Sequence, residues 1–201
     1  MGVAGLVLAA GSGSRLGTPK ALVEVGGERF VDRAVRTLRD GGCDPVVVVT
    51  GAADFEVAGA STVANPDWAT GMGSSLRAGL AALAALPAAA DGGPGATVVS
   101  LVDQPGIGPE VVARLLAAHA AGAGVAVATY GGKRRNPVLL GRATWPEVAA
   151  LAEGDAGARP YLAAHAADIT GVQCDDIAAA DDIDTAEDLA RLRARGPGRP
   201  S

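Results

Sequence analysis

The sequence predicts an α/β fold with a mostly parallel sheet covered by helices, and three observations carry that expectation. Short runs of β-branched and aliphatic residues alternate with stretches in which apolar residues recur at helical spacing. Glycine- and proline-bearing breaks separate the two kinds of segment. The 201 residues suffice for one α/β domain, burying roughly 70% of the surface of its unfolded chain. Residues 1–195 are accordingly read as a single domain and 196–201 as a disordered tail.

Val3 to Ala9 forms the first expected strand. Phe30, Val31, Ala34, Val35 and Leu38 then recur at helical spacing, and Gly41-Gly42 supplies a stop. Pro45 to Thr50 reads as a buried strand. Leu76, Leu80 and Leu83 mark a second helix ending at Pro87, followed by a surface loop to Gly95 and a strand from Thr97 to Val102. Pro109 suits a first helical turn, from which Val111, Val112, Leu115 and Leu116 lead to a glycine end at Gly122. Val125 to Thr129 follows as a strand and Val138 to Leu140 as a short one. Helices are expected around Trp145 to Leu151 and Pro160 to Ala166, with weakly extended chain from Ile169 to Val172. Asp184 or Thr185 caps a last helix running to about Arg195.

A formal charge of −5, from 22 acidic and 17 basic residues, argues against a protein that coats nucleic acid. Cys43 and Cys174 lack the spacing of a zinc knuckle or redox pair. The N-terminal apolar segment runs into a glycine loop without the basic flank of a signal peptide. The longest charge-free stretch, Leu115 to Gly132, holds a histidine and several glycines and makes a poor membrane span. The expectation is a cytoplasmic protein with no membrane partner.

The first strand leads directly into Leu8-Ala-Ala-Gly-Ser-Gly-Ser-Arg-Leu-Gly-Thr-Pro-Lys20. Glycines at 11, 13 and 17 let backbone N–H groups converge on a phosphate chain. The spacing is not G-x-G-x-x-G, and no G-K-[ST] closes a Walker loop. Lys20 is one of only two lysines among 17 basic residues, and its place after the loop favours a compact point charge there.

Segment 8–20 resembles the L-A-A-G-x-G-x-R-x-G-x-P-K signature of the MobA-like nucleotidyltransferases, particularly the molybdenum cofactor cytidylyltransferases. Asn65-Pro-Asp-Trp-Ala-Thr-Gly-Met-Gly-Ser-Ser-Leu76, Leu101-Val-Asp-Gln-Pro105 and Gly154-Asp-Ala-Gly-Ala-Arg159 are similar to later family segments in the same order. The resemblance implies a three-layer, Rossmann-like nucleotidyltransferase fold and a Mg2+ cofactor. It implies that Leu8, Ala9, Ala10, Gly11, Gly13, Arg15, Lys20, Asn65, Ser74 and Ser75 bind the nucleoside triphosphate. Ala10, where the guanylyl-transferring branch has glycine, favours CTP.

Asp103 ends an apolar strand, at the edge where open α/β sheets meet ligand; it is a turn residue or, as the resemblance implies, a metal ligand. Asp184 of Asp182-Ile-Asp184-Thr either caps the last helix or contacts the metal. Ser74 and Ser75 either cap the Leu76 helix or edge the pocket. The resemblance assigns Asp155 and Arg159 to the acceptor side, with Asn136 where the family usually carries histidine. His119 and His165 lie in expected helices and read as surface or core residues.

The implied reaction requires no protein nucleophile: an acceptor phosphate attacks the α-phosphorus, and catalysis is positioning plus charge neutralisation. Arg15 would hold the β/γ-phosphates, Lys20 would meet charge at the α-phosphate, and Asp103 would hold the metal. The expected acceptor is a molybdopterin-type cofactor, with a molybdoenzyme or its chaperone receiving the product. A sugar or polyol phosphate acceptor, and a non-catalytic cofactor-delivery protein, are the alternatives.

Overall fold

The structure is a computed structural model that describes residues 2–86 and 93–195. The loop expected after Pro87 falls mostly outside them, and the tail 196–201 wholly outside. The elements in order are β1 (Val3–Leu8), β2 (Glu24–Val25), β3 (Glu28–Arg29), α1 (Phe30–Asp40), β4 (Val46–Thr50), β5 (Ser61–Ala64), α2 (Met72–Ala85) and β6 (Ala96–Leu101). There follow α3 (Pro109–Ala120), β7 (Val125–Tyr130), β8 (Lys133–Gly141), α4 (Trp145–Leu151), α5 (Arg159–Ala164), β9 (Ile169–Gln173) and α6 (Ala186–Arg195).

Seven strands form one sheet in the order β5-β4-β1-β6-β8-β7-β9. β1 pairs parallel with β4 and β6, β4 with β5, and β7 with β9, whereas β8 runs antiparallel to both its neighbours. Both faces are covered, which is why the central strands read as unbroken apolar runs. In β1, Leu6 and Leu8 enter one core and Val7 the other; in β4, Val47 and Val49 oppose Val46 and Val48. The first core receives Leu76, Leu80 and Leu83 of α2 with Trp145 and Val148 of α4. The second receives Val31, Val35 and Leu38 of α1 and Val112 and Leu115 of α3, with Leu189 and Leu192 of α6 packed against it. The result is a mostly parallel α/β sandwich of three layers, as expected.

α1 stops at the predicted glycine pair, where the Cys43 N–H reaches back to the Leu38 carbonyl at 2.9 Å. Three features depart from expectation. β8 spans nine residues rather than three, because its first half, Lys133 to Arg135, is charged and exposed and carries no apolar signature. Asn136 and Pro137 stand out of register between the Val127–Val138 and Ala128–Arg135 pairs, a bulge that accommodates a residue without an N–H. The edge strand β5 and the two-residue strands β2 and β3 were not expected; Ser61–Ala64 is mostly exposed and shows no buried run. Third, α2 begins at Met72, so Gly73, Ser74 and Ser75 occupy its first turn and do not precede it. Among the described residues no helix is long and apolar enough to cross a membrane.

Candidate active site

The parallel register of β1 and β6 pairs Leu8 with Leu101, so the chain leaves both strands side by side at the carboxyl edge of the sheet. Ala10 and Asp103 lie two residues beyond that pair. Between them opens a cleft of about 520 Å³. Leu8, Ala10, Gly11, Ser12, Gly13, Ser14 and Lys20 line one wall; Trp68, Ala69, Gly71, Met72 and Ser75 line the other, with Asp103 and Asp155. Ala9 points away into the α1–α3 core, as strand alternation requires.

The loop after β1 stays irregular to Pro19 and does not open into a helix, unlike a dinucleotide-binding turn. Gly13 has φ +61°, and a Cβ there would lie 1.9 Å from the Thr18 carbonyl oxygen. The loop closes on itself at this point, which only glycine permits. It delivers the chain to Lys20, which starts a short 3-10 turn (Lys20–Leu22) anchored by the fully buried Ala21.

Lys20 Nζ donates to Asp103 Oδ2 at 2.6 Å and to Asp184 Oδ1 at 2.5 Å. Asp184 comes from far along the chain because Ile183, buried in the core, donates its N–H to the Asp103 carbonyl at 2.9 Å. Its carboxylate is not used to cap α6. Thr185 does that: its Oγ1 accepts from the Asp188 N–H at 3.2 Å, while Asp188 Oδ2 accepts from the Thr185 N–H at 2.8 Å. Arg15 reaches Asp184 at 3.7 Å from a largely exposed position. Asp182 faces aside and accepts from Gln104 Nε2 at 2.8 Å.

Burial opposes the charge on Lys20, but the hydrogen bonds and charges of Asp103 and Asp184 outweigh it and hold its pKa above the ordinary lysine value. Lys20 is therefore a fixed cation at neutral pH. Partial burial raises the Asp182 carboxyl, against the lowering effect of Gln104, and the charges of Asp103 and Asp184 add to the rise.

Asn65 and Ser74 are buried and absent from the cleft lining. Asn65 Nδ2 donates to Ser74 Oγ at 2.8 Å and to Ser75 Oγ at 3.1 Å, and Asn65 Oδ1 accepts from the Asp67 N–H at 3.0 Å. This network ties the loop before α2 to its first turn; Ser75 alone of the three also faces the cleft. Neither serine caps α2, whose N-cap is Gly71.

Of the residues expected on an acceptor side, Asp155 lines the cleft and its Oδ1 accepts from the Met72 N–H at 3.4 Å. Arg159 is turned onto its own chain, donating to the carbonyls of Ala156 at 3.1 Å and Asp155 at 2.6 Å. Asn136 sits in the β8 bulge and does not line the cleft. His119 bonds the Ala123 carbonyl, and His165 stacks on Tyr161, both away from the cleft. Trp68 also lines the cleft, a place that the 65–76 motif alone does not assign it; in a chain with 3% aromatic residues, an aromatic in a polar loop is the available signal.

Comparison with known proteins places this geometry. The chain is 37% identical over 204 aligned residues to a Paenarthrobacter nicotinovorans protein named Nicotine blue oxidoreductase, covering 94% of this chain and 96% of that one. A crystal structure from Mycobacterium sp. strain JC1, a homologue of Mycobacterium tuberculosis Rv0371c, superposes with a TM-score of 0.81 at 31% identity and 96% coverage of both chains. The Mycobacterium tuberculosis protein, in a structure described as a complex with manganese, shares the fold at a TM-score of 0.77 and 24% identity, covering 96% of this chain and 99% of that one. Residues 5–169 match the MobA-like NTP transferase domain, a span that runs from the glycine loop past the Asp155 turn, and the chain therefore belongs to that nucleotidyltransferase family.

Proposed function

We propose that this protein is a divalent-metal-dependent nucleotidyltransferase that transfers CMP from CTP to the terminal phosphate of a molybdopterin-type cofactor and releases pyrophosphate. The observation that carries the reading is a lysine set between two carboxylates beside a glycine loop, at the carboxyl edge of a parallel sheet.

The residues present fit the metal and the triphosphate. Asp103 and Asp184 offer hard oxygen donors of the kind Mg2+ and Mn2+ take. An ion held by these two carboxylates would complete its shell with phosphate oxygens and water. When bound, such an ion would neutralise the triphosphate and stabilise the leaving pyrophosphate.

The chain's own residues do the rest. The backbone of Gly11 to Ser14 lines the place where a phosphate chain would lie, with open space where a Gly11 side chain would stand. Lys20, permanently charged at neutral pH, meets negative charge developing on the α-phosphate and moves no proton. Arg15, exposed and outside the cleft lining, would reach the β/γ-phosphates from beside Asp184. The acceptor oxygen attacks the α-phosphorus, and the bond to the bridging oxygen of the leaving pyrophosphate breaks. The Ala10 methyl narrows the cleft in favour of a pyrimidine. Asp155 lies on the acceptor side; Arg159 and Asn136 join it only by turning inward. A molybdoenzyme or its chaperone would receive the product in the cytoplasm.

The test supplies purified protein with labelled CTP, molybdenum-loaded molybdopterin and either Mg2+ or Mn2+. Label should appear in a dinucleotide with stoichiometric pyrophosphate, stop on chelation and resume when metal is restored. Transfer to a sugar or polyol phosphate instead would remove the molybdopterin assignment and keep the reaction class. No transfer from any nucleoside triphosphate would remove both.

One observation favours a second reading: the 37% identical relative of nearly equal length bears the name of an oxidoreductase. In that case the glycine loop and Lys20 would take the pyrophosphate of a reduced nicotinamide dinucleotide. Loss of reduced-nicotinamide absorbance in the presence of an oxidised dye, without pyrophosphate release, would establish it.

A further inference from the structure

Three segments that are distant in sequence meet where Ala10 and Trp68 line the cleft, with Gly51 beside them. Ala10 follows β1, Gly51 follows β4, and Trp68 opens the short 3-10 turn Trp68–Thr70 between β5 and α2. A Cβ added to Gly51 would lie 2.6 Å from Trp68 Cβ, 2.7 Å from Trp68 Cγ and 2.8 Å from Ala10 Cβ. Trp68 and the Ala10 methyl therefore both crowd the place where a Gly51 side chain would stand, and only glycine leaves room there. The Ala52 N–H, bonded to the Ala10 carbonyl at 2.9 Å, locks two of these segments together.

The loop carrying Trp68 is braced from behind. Its N–H bonds the Asn65 carbonyl at 3.3 Å, the Asn65 N–H bonds the Thr50 carbonyl at 2.9 Å, and Asn65 holds Ser74 and Ser75 from a buried position. Four residues, Asn65, Ser74, Ala10 and Gly51, thus surround or brace one half-buried tryptophan that lines the cleft. A rigid aromatic ring facing a nucleotide-sized cavity gives any nucleobase a face on which to stack.

We infer that Trp68 is the base platform of the cleft and that Ala10 and Gly51 set its position, so that base choice belongs to the three residues together. This deepens the nucleotidyltransferase reading and rests on it. Asn65 and Ser74 then act as positioning residues, through the loop.

The experiment measures binding without turnover, by calorimetric titration with CTP, GTP and inorganic tripolyphosphate in the presence of Mg2+ and no acceptor. Trp68→Ala should weaken CTP roughly tenfold or more while leaving tripolyphosphate within about twofold of the unaltered protein. Trp68→Phe, which keeps a flat ring, should retain most of the CTP affinity. Gly51→Ala, whose methyl group must displace the indole, should change the CTP to GTP ratio and spare tripolyphosphate.

Unchanged CTP affinity in Trp68→Ala overturns the inference. Equal losses of CTP and tripolyphosphate also overturn it, because the ring would then merely hold the loop. An unchanged CTP to GTP ratio in Gly51→Ala refutes joint control of base choice. If the unaltered protein binds neither nucleotide, the nucleotidyltransferase reading fails and this inference with it. The first three results leave that reading intact.

Discussion

Lys20 is the residue on which the site turns. Lys20→Ala should lower turnover by at least about a hundredfold, since a fixed cation beside the reacting phosphate contributes most to the transition state. Burst and steady-state measurements of pyrophosphate release would check it, with circular dichroism showing an intact fold. The same contacts have a pH signature. A lysine whose pKa is raised by folding stabilises the folded state fully below its ordinary value of 10.5, and that contribution disappears as pH rises through the elevated value. The difference in urea midpoint between the unaltered protein and Lys20→Met should therefore be constant from neutral pH to about 10.5 and shrink above it. A difference that grew with alkalinity would contradict the assignment. Lys20 was legible in the sequence because one of only two lysines in an arginine-rich chain follows a glycine loop. Its partnership with Asp184 was only half legible. In the sequence, capping and metal contact are equal candidates for Asp184; Thr185 and Asp188 close the helix themselves, which removes capping and leaves metal contact a proposal.

At the scale of single elements, that capping pair carries a second function: it holds the start of α6 while leaving Asp184 free for Lys20. Thr185→Ala should cost about 1 kcal/mol, read as a lower urea midpoint with an unchanged slope. Helices were legible wherever an apolar stripe met a proline or glycine boundary, as in α1 and α3. Strands were legible where both faces are buried, and faint, as in β9, or missed where they are not. β5 lies at the sheet edge, and the outer half of β8 carries Lys133, Arg134 and Arg135 into solvent. The loop from Asn65 to Gly71 misled for a related reason. Its polar side chains suggested ligand contacts, whereas Asn65 and Ser74 satisfy one another inside the protein.

Across the whole molecule, stability should concentrate where β8 crosses the middle of the sheet. Leu139, fully buried between β6 and β7, should cost about 2–5 kcal/mol when changed to alanine. Leu151→Ala, at a residue 37% exposed, should stay within about 0.5 kcal/mol in the same denaturation series. The layered α/β class was legible from alternation alone, but the strand order was not, because nothing in the pattern of Val138 to Leu140 reveals that this strand runs backwards between two others. That reversal governs how the chain can be assembled during synthesis. β6 emerges from the ribosome after its neighbour β1 but before its other neighbour β8, and the next strand made, β7, does not pair with it. Until residues 133–141 have emerged, the growing sheet β5-β4-β1-β6 presents the long apolar β6 as an unpaired border, open to strands of other chains. The hairpin of β7 and β8 then seals it in a single docking step, so a nascent chain halted before Gly141 should be captured by strand-binding chaperones far more readily than one released from just beyond it.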